Sequence, residues 1–345
     1  MGKRICFVES SVPFDGFGPT SRPLDAGARA LAYLAAALAQ RGHEISVINK
    51  ADFPALCDGV DWLGWTQEPK ANPDIAIAVD DPALLAHALH AEKRFVWAQG
   101  TAASLDVPAA VSSFGAWRPD VVFHTKPQRD RWMNANGLTT HVVEPAPGHA
   151  FLDDFPVHPA EPPRLLTVCH PLGGLERLVR LFAERIRPAV PNAELRIYSA
   201  LLDRGRWGGD VPAAVRPVHE LCQAWASAGV TVHPPQPDPQ MADAYRQARG
   251  LLHPSLAEEP AAIVLMEVQA ACLPVIGFMQ SAVAFERVAD GVTGKLAASD
   301  DAFVDVAVEL LTSADTHARY SGNCKTLRRG RSWAIAAAEW EELFA

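Results

Sequence analysis

The chain has 345 residues, 49% hydrophobic and 21% charged, ordinary globular usage that excludes a disordered or fibrous protein and predicts two domains of similar size. Its 31 Lys and Arg against 40 Asp and Glu leave a net charge of −9, which argues against a broad nucleic-acid or anionic-lipid surface and predicts no nucleic-acid partner. No stretch approaches about 18 uninterrupted apolar residues, and the opening MGKRICFVESS runs straight into a strand. Neither a transmembrane segment nor a cleavable signal is expected, and the protein is placed in the cytoplasm. Six cysteines stand singly, without a C-x-x-C pair or zinc spacing, and read as reduced core thiols.

Short runs rich in Val and Ile alternate with segments of helical period, the pattern of β-α-β units around parallel sheets. In the first half, strands are expected at residues 5–8, 44–48, 75–79, 95–97, 121–123 and 141–143. A helix is expected from Ala28 to Gln40, with Leu31, Leu34 and Leu38 on one stripe, Asp25 as its cap and Gly42 closing it. Residues 149–163, HAFLDDFPVHPAEPP, repeat proline without any period and read as a linker. The pattern then restarts with LLTVC (165–169), ELRIYS, VTVH, GLLH and LPVI, which predicts a second doubly wound sheet. The end, SWAIAAAEWEELF from Ser332, is an amphipathic helix too late for a strand crossover, and it is expected to pack back on the first domain. The expected architecture is α/β: two Rossmann-like domains facing a cleft, residues 1–155 and 156–330, with a terminal helix in residues 331–345.

In such sheets ligands sit beyond the carboxyl ends of strands, so residues just after each strand are the ones to weigh. After the first strand comes ESSVPFDGFGPTSRPLDAG, with Gly16, Gly18 and Gly27 before a helix start. It reads either as a surface loop with turn glycines or as an anion-binding loop. It is neither G-x-G-x-x-G nor a P-loop, so no dinucleotide cofactor is expected. In the segment from His253 to Gly277, Glu259 falls at a helix entrance and Glu267 about two turns in, on nearly the same face. Taken singly they read as a cap and a solvated position. However, Ile263, Leu265, Met266, Val268, Ala270 and Ala271 make this helix apolar nearly all round, so Glu267 is expected to be partly buried and in need of a partner. His87 and His90 have no third ligand in view, and no metal site is expected. No G-x-S-x-G elbow occurs.

This E-x7-E spacing, the small-residue stretch and strand of residues 273–276, and the run SAVAFERVADGVTGKL resemble glycosyltransferase family 4, the retaining nucleotide-sugar transferases of GT-B fold. The segments GLERLVRLFAERIRPAVPNAELRIYS and DAGARALAYLAAALAQRGHEISV are similar to the same family. The resemblance implies a donor site in the second domain. Glu267 would hold the ribose hydroxyls, Glu259 would face the sugar, and the N–H groups of Ala261, Ala262 and Ile263 would meet the diphosphate. Gly27 and Arg29 would approach from the first domain, with acceptor-side loops around residues 15–25 and 62–65. It also implies metal-independent transfer of a hexose from a UDP- or GDP-sugar to an acceptor hydroxyl, with the nucleotide sugar as substrate and no cofactor.

Three positions depart from the family pattern. His170, Gly173 and Gly174 stand where most members carry a phosphate-clamping Arg and Lys, and Arg29, Arg204, Arg206 or Lys295 would have to substitute. Gln99 and Gly100 stand where a histidine is frequent, and Gln cannot take a proton. Pro260 removes an N–H near the acidic turn, although Pro is also good structure at a first helical position. These departures keep open an alternative: a catalytically silent protein of the same fold that binds a sugar or partner and regulates or scaffolds an active transferase. Oligomeric state is not legible in the sequence.

Overall fold

The computed structural model describes residues 2–88, 90–256 and 263–345. They fall into two compact units, one of residues 2–148 and 331–345, the other of residues 149–256 and 263–330. The first is built on eight strands: β1 (Arg4–Val8), β2 (Glu44–Asn49), β3 (Ala55–Cys57), β4 (Val60–Gly64), β5 (Ile75–Val79), β6 (Lys93–Ala98), β7 (Asp120–Phe123) and β8 (Thr140–Val142). Their order is β3-β4-β2-β1-β5-β6-β7-β8, parallel throughout except for the β3–β4 pair. Central strands such as IAIAV are buried at every position, as strands covered on both faces must be, which is why they read as continuous apolar runs. The chain leaves β1 for β2 on one side and returns to β5 on the other. The switch point of this sheet therefore lies between β1 and β5.

The hairpin β3–β4 corrects the sequence reading. Of the stretch 62–65, expected as an acceptor-side loop, all but Trp65 belong to β4, and Trp62 is buried edge-on to Phe14 with ring centroids 5.4 Å apart. Asp58 and Gly59 make the turn with φ of 50° and 78°, the left-handed pair that a two-residue hairpin requires.

The long helix spans Ala26–Gln40, with Asp25 Oδ1 accepting the Ala28 N–H at 2.9 Å, and Gly42 follows it at φ 92°. On this helix packs the terminal helix Trp333–Leu343, capped by Ser332. Trp340 meets the rings of Trp97 and Phe95 at 5.6 and 6.0 Å, and Trp333 stacks on Tyr33 at 6.2 Å. Lys93 donates from Nζ to the carbonyls of Leu343 and Ala345 at 2.6 and 2.7 Å, a cation at the negative end of the helix dipole.

The second unit has six parallel strands: β9 (Arg164–Thr167), β10 (Glu194–Tyr198), β11 (Val230–His233), β12 (Gly250–His253), β13 (Val275–Phe278) and β14 (Gly294–Ala297). They run β11-β10-β9-β12-β13-β14, so the switch point lies between β9 and β12. Strand β14 was not expected from the sequence: GKLA is short and carries no β-branched residue. The stretch 149–163, expected as linker, opens instead with the helix His149–Leu152. Phe151 is fully buried there and stacks on Tyr245 at 5.7 Å, while Arg246 holds the Ala150 carbonyl at 2.7 Å.

All six cysteines are free thiols, and Cys169 is the one not fully buried. Burial pushes the Cys222 and Cys324 thiols up to about 12, which keeps them protonated and unreactive. Burial, and secondarily the charge of Arg249, pushes His317 down from 6.5 to about 4. The unfolded chain then takes up a proton below pH 6.5 that the native protein refuses until near pH 4. Stability is therefore full above about pH 6.5 and is lost as pH falls through that window, by about 3 kcal/mol. Thermal melting from pH 7 to pH 4 checks this: the fall should be visibly shallower in His317→Gln than in the parent.

Candidate functional site

At the second switch point the loop after β9 folds over the end of β12. His170 accepts twice in this turn, its carbonyl from the Gly173 N–H at 2.7 Å and its Nδ1 from the Leu172 N–H at 3.2 Å. Gly174 sits at φ 90°, and a Cβ there would come within 2.8 Å of the Pro254 carbonyl, so only glycine fits. Gly173 lies beside Ser255, whose Oγ is buried with no hydrogen-bond partner. The structure thus brings His170, Gly173 and Gly174 together as a tight cradle of backbone. Sequence reasoning missed Ser255; its signal was its place just after a strand at the crossover.

Ile263 opens the helix Ile263–Ala270 and is buried. Glu267 is only 2% exposed on that helix, as the apolar surroundings required. Its neighbour Gln269 is also buried and donates to the carbonyls of Leu265 and Arg287 at 3.0 and 3.1 Å, which ties the helix to the segment after β13. Glu259, Ala261 and Ala262, like Pro260, lie outside the described residues.

Of the cations near this switch point and those named as substitutes, three are engaged elsewhere. Arg177 pairs with Asp300 at 2.7 Å and lies over the Phe278 ring at 4.0 Å. Lys295 pairs with Asp290 at 2.9 Å, Arg206 donates to the Val232 carbonyl, and Arg204 is exposed. A cavity of about 550 Å³ opens beside the β9 loop, lined by Leu172, Gly174, Arg177, Arg180, Val218 and Asp300. Its two arginines already have carboxylate partners, Asp300 and Glu176, so the cavity presents no spare charge to an anion.

At the switch point of the first unit, Gly27 and Arg29 occupy the first turn of helix Ala26–Gln40, both half-buried. A Cβ on Gly27 would clash with Gln99 Oε1 and reach Asp25 Oδ1 at 3.2 Å, so the glycine admits the Gln99 side chain to the helix start. The loop carrying Gln99 is rigidly held. Asp80, at φ 59°, accepts the N–H groups of Gln99 and Gly100 at 2.6 and 2.8 Å, and buried Gln128 donates to the carbonyls of Gly100 and Ala98 at 2.6 and 3.1 Å. Asp80 and Glu9, the residues that follow β5 and β1, were not singled out in the sequence. Both were findable as polar residues ending adjacent strands at the crossover. His87, set aside as a metal ligand, packs its ring against Trp65 at 4.6 Å. Among the described residues no helix is long and apolar enough to cross a membrane.

Comparison with known proteins agrees with this fold. The chain has the GT-B fold: it superposes on sucrose-phosphate synthase from Thermosynechococcus elongatus with a TM-score of 0.74 over 99% of this chain and 98% of that one, at 15% identity. Anabaena HepE, crystallised with UDP and glucose, gives 0.72 over 99% of both chains at 14% identity. A glycosyltransferase from Rickettsia africae gives 0.71 over 99% and 97% at 13% identity. Residues 165–313 match the family model of glycosyl transferases group 1, which spans most of the second unit. No curated protein sequence matches the chain significantly.

Proposed function

We propose that the chain is a retaining glycosyltransferase that moves a hexose from a UDP- or GDP-sugar to an acceptor hydroxyl without a metal ion. The observation that carries this reading is Glu267, a carboxylate 2% exposed in an apolar helix inside the stretch matched by group 1 glycosyl transferases. As the second carboxylate of the E-x7-E spacing, it is suited to grip two ribose hydroxyls. In the proposed reaction the bond from the sugar's C1 to the diphosphate oxygen breaks, and a bond from C1 to the acceptor oxygen forms on the same face. The acceptor's hydroxyl proton leaves on the departing diphosphate. Glu259 faces the sugar, the cradle of His170, Gly173 and Gly174 with the N–H groups of Ala261, Ala262 and Ile263 receives the diphosphate, and Gly27 and Arg29 serve from the first unit. HepE was crystallised with UDP and glucose, which favours a UDP-sugar.

The silent alternative keeps one specific observation on its side, namely that Arg177, Lys295 and Arg206 are held by Asp300, Asp290 and the Val232 carbonyl. Two missing charge-assisted hydrogen bonds of about 1.5 to 3 kcal/mol each weaken diphosphate binding severely. A thermal-shift screen across UDP, GDP, ADP and their sugars separates the readings. A true donor at about 100 times its dissociation constant adds about 2.7 kcal/mol, and release of nucleoside diphosphate with an acceptor mixture completes the case. A chain that binds none of them at millimolar concentration is not a transferase.

A further inference from the structure

The carboxyl edge of the first sheet carries an acidic centre for which the proposed donor chemistry has no use. Glu9 follows β1, Asp80 follows the adjacent β5, and Asp25 caps the helix Ala26–Gln40. Glu9 is 7% exposed; its Oε1 accepts the Ser11 N–H at 2.6 Å, and its Oε2 is buried with no hydrogen-bond partner. Gln99 Nε2 is likewise buried and without a partner, while its Oε1 lies against Gly27 in the first turn of the helix, beside Asp25. An acceptor oxygen at the end of β1 and an amide donor beside the helix start are thus both without a partner.

The charge of Asp25 reaches both strand-end carboxyls. Burial first, then the charges of Asp25 and Asp80, hold the Glu9 carboxyl above its ordinary range, and burial with the charge of Asp25 does the same to Asp80. The donors that face them are the backbone N–H groups of Ser11, Ala28, Gln99 and Gly100 and, for Glu9, the Ser11 side chain, none of them cationic. Among the described residues no three such side chains converge closely enough to hold a metal ion. A neutral polyol supplies hydrogen-bond donors but leaves the negative charges uncompensated; a protonated amine brings three N–H donors and the opposite charge at once.

Resting on the glycosyltransferase reading, we propose that this edge of the first unit binds the acceptor through a protonated amine, so that the acceptor belongs to the amino sugars or aminocyclitols rather than to the neutral sugars. Glu9 and Asp80 take the ammonium group, and the Gln99 amide, with one donor and one acceptor, reads a neighbouring hydroxyl. Asp25, already bonded to its own helix, contributes charge.

Ligand-observed saturation-transfer NMR on the full chain tests this, using glucosamine, glucose and N-acetylglucosamine as probes, with UDP and GDP titrated separately. Glucosamine should bind about tenfold or more tightly than either of the others, and its advantage should shrink with added salt. Glu9→Gln and Asp80→Asn should each abolish the advantage while leaving nucleotide affinity unchanged. Equal binding of the three sugars, no detectable glucosamine binding at millimolar concentration, or an advantage that survives both substitutions overturns the proposal. Should the variants fail to fold, the three-sugar comparison and its salt dependence in the parent decide alone. Nucleotide binding without an amine preference rejects the amine site and leaves the transferase reading standing; an amine preference without nucleotide binding does the reverse.

Discussion

Replacing Glu267 by alanine is expected to weaken binding of the preferred nucleoside diphosphate by about 2 to 4 kcal/mol, roughly 30- to 900-fold. The size follows from burial. A carboxylate that is 2% exposed would, in the proposed role, grip hydroxyls with little competition from water, so each charge-assisted bond would be worth more than at the surface. The helix itself should survive the change, because its packing rests on Leu265 and Val268 and on the Gln269 bonds to the Leu265 and Arg287 carbonyls. Glu267→Gln, which keeps the shape and loses the charge, should fall between parent and alanine. Isothermal titration measures the affinities, with circular dichroism as the control on folding. A well-folded alanine variant within a factor of two of the parent would remove Glu267 from the ribose.

Trp340→Ala should destabilise the first unit by about 3 to 5 kcal/mol, the range for emptying a buried aromatic site. Trp340 is 1% exposed and meets Trp97, Phe95 and Phe344 with ring centroids 5.6, 6.0 and 6.2 Å apart, edge-on or tilted geometries that add to plain area burial. Neighbouring rings on β6 cannot collapse into the void, since Phe95 and Trp97 are fixed by the sheet. Denaturant unfolding gives the magnitude. Hydrogen exchange should locate the loss in the terminal helix and in β6, and leave β9 to β14 as protected as in the parent; uniform loss over both sheets would contradict this account.

The strands legible in the sequence were those whose composition and burial agree. ICFV, IAIAV and LLTVC are apolar at nearly every position because helices cover both faces of the sheet. The hairpin β3–β4 escaped notice although Asp58-Gly59 is a strong turn signal: β3 has three residues, and WLGW alternates tryptophans with small and aliphatic residues in a way that reads as loop. The helix His149–Leu152 was hidden by the prolines that follow it, and only its buried Phe151 shows that tertiary packing decides there. In the site, periodicity foretold the burial of Glu267, because an apolar helix leaves a carboxylate nowhere else to go. The ion pairs that occupy Arg177 and Lys295 could not be foretold, since Asp300 stands 123 residues from Arg177 and the pairing depends on which helix ends the sheet brings together.

The first unit is completed by residues 331–345, which the ribosome delivers only after the whole of the second unit. A nascent chain that has made β1 to β8 therefore waits with the Trp97 and Phe95 side of its sheet bare, an apolar surface exposed until synthesis ends. Synthesis order makes the second unit the natural one to mature first, as its strands and helices are continuous in the sequence. An expression fragment ending near residue 150 would carry that bare surface permanently, and a donated peptide of residues 331–345 is the reagent suited to covering it.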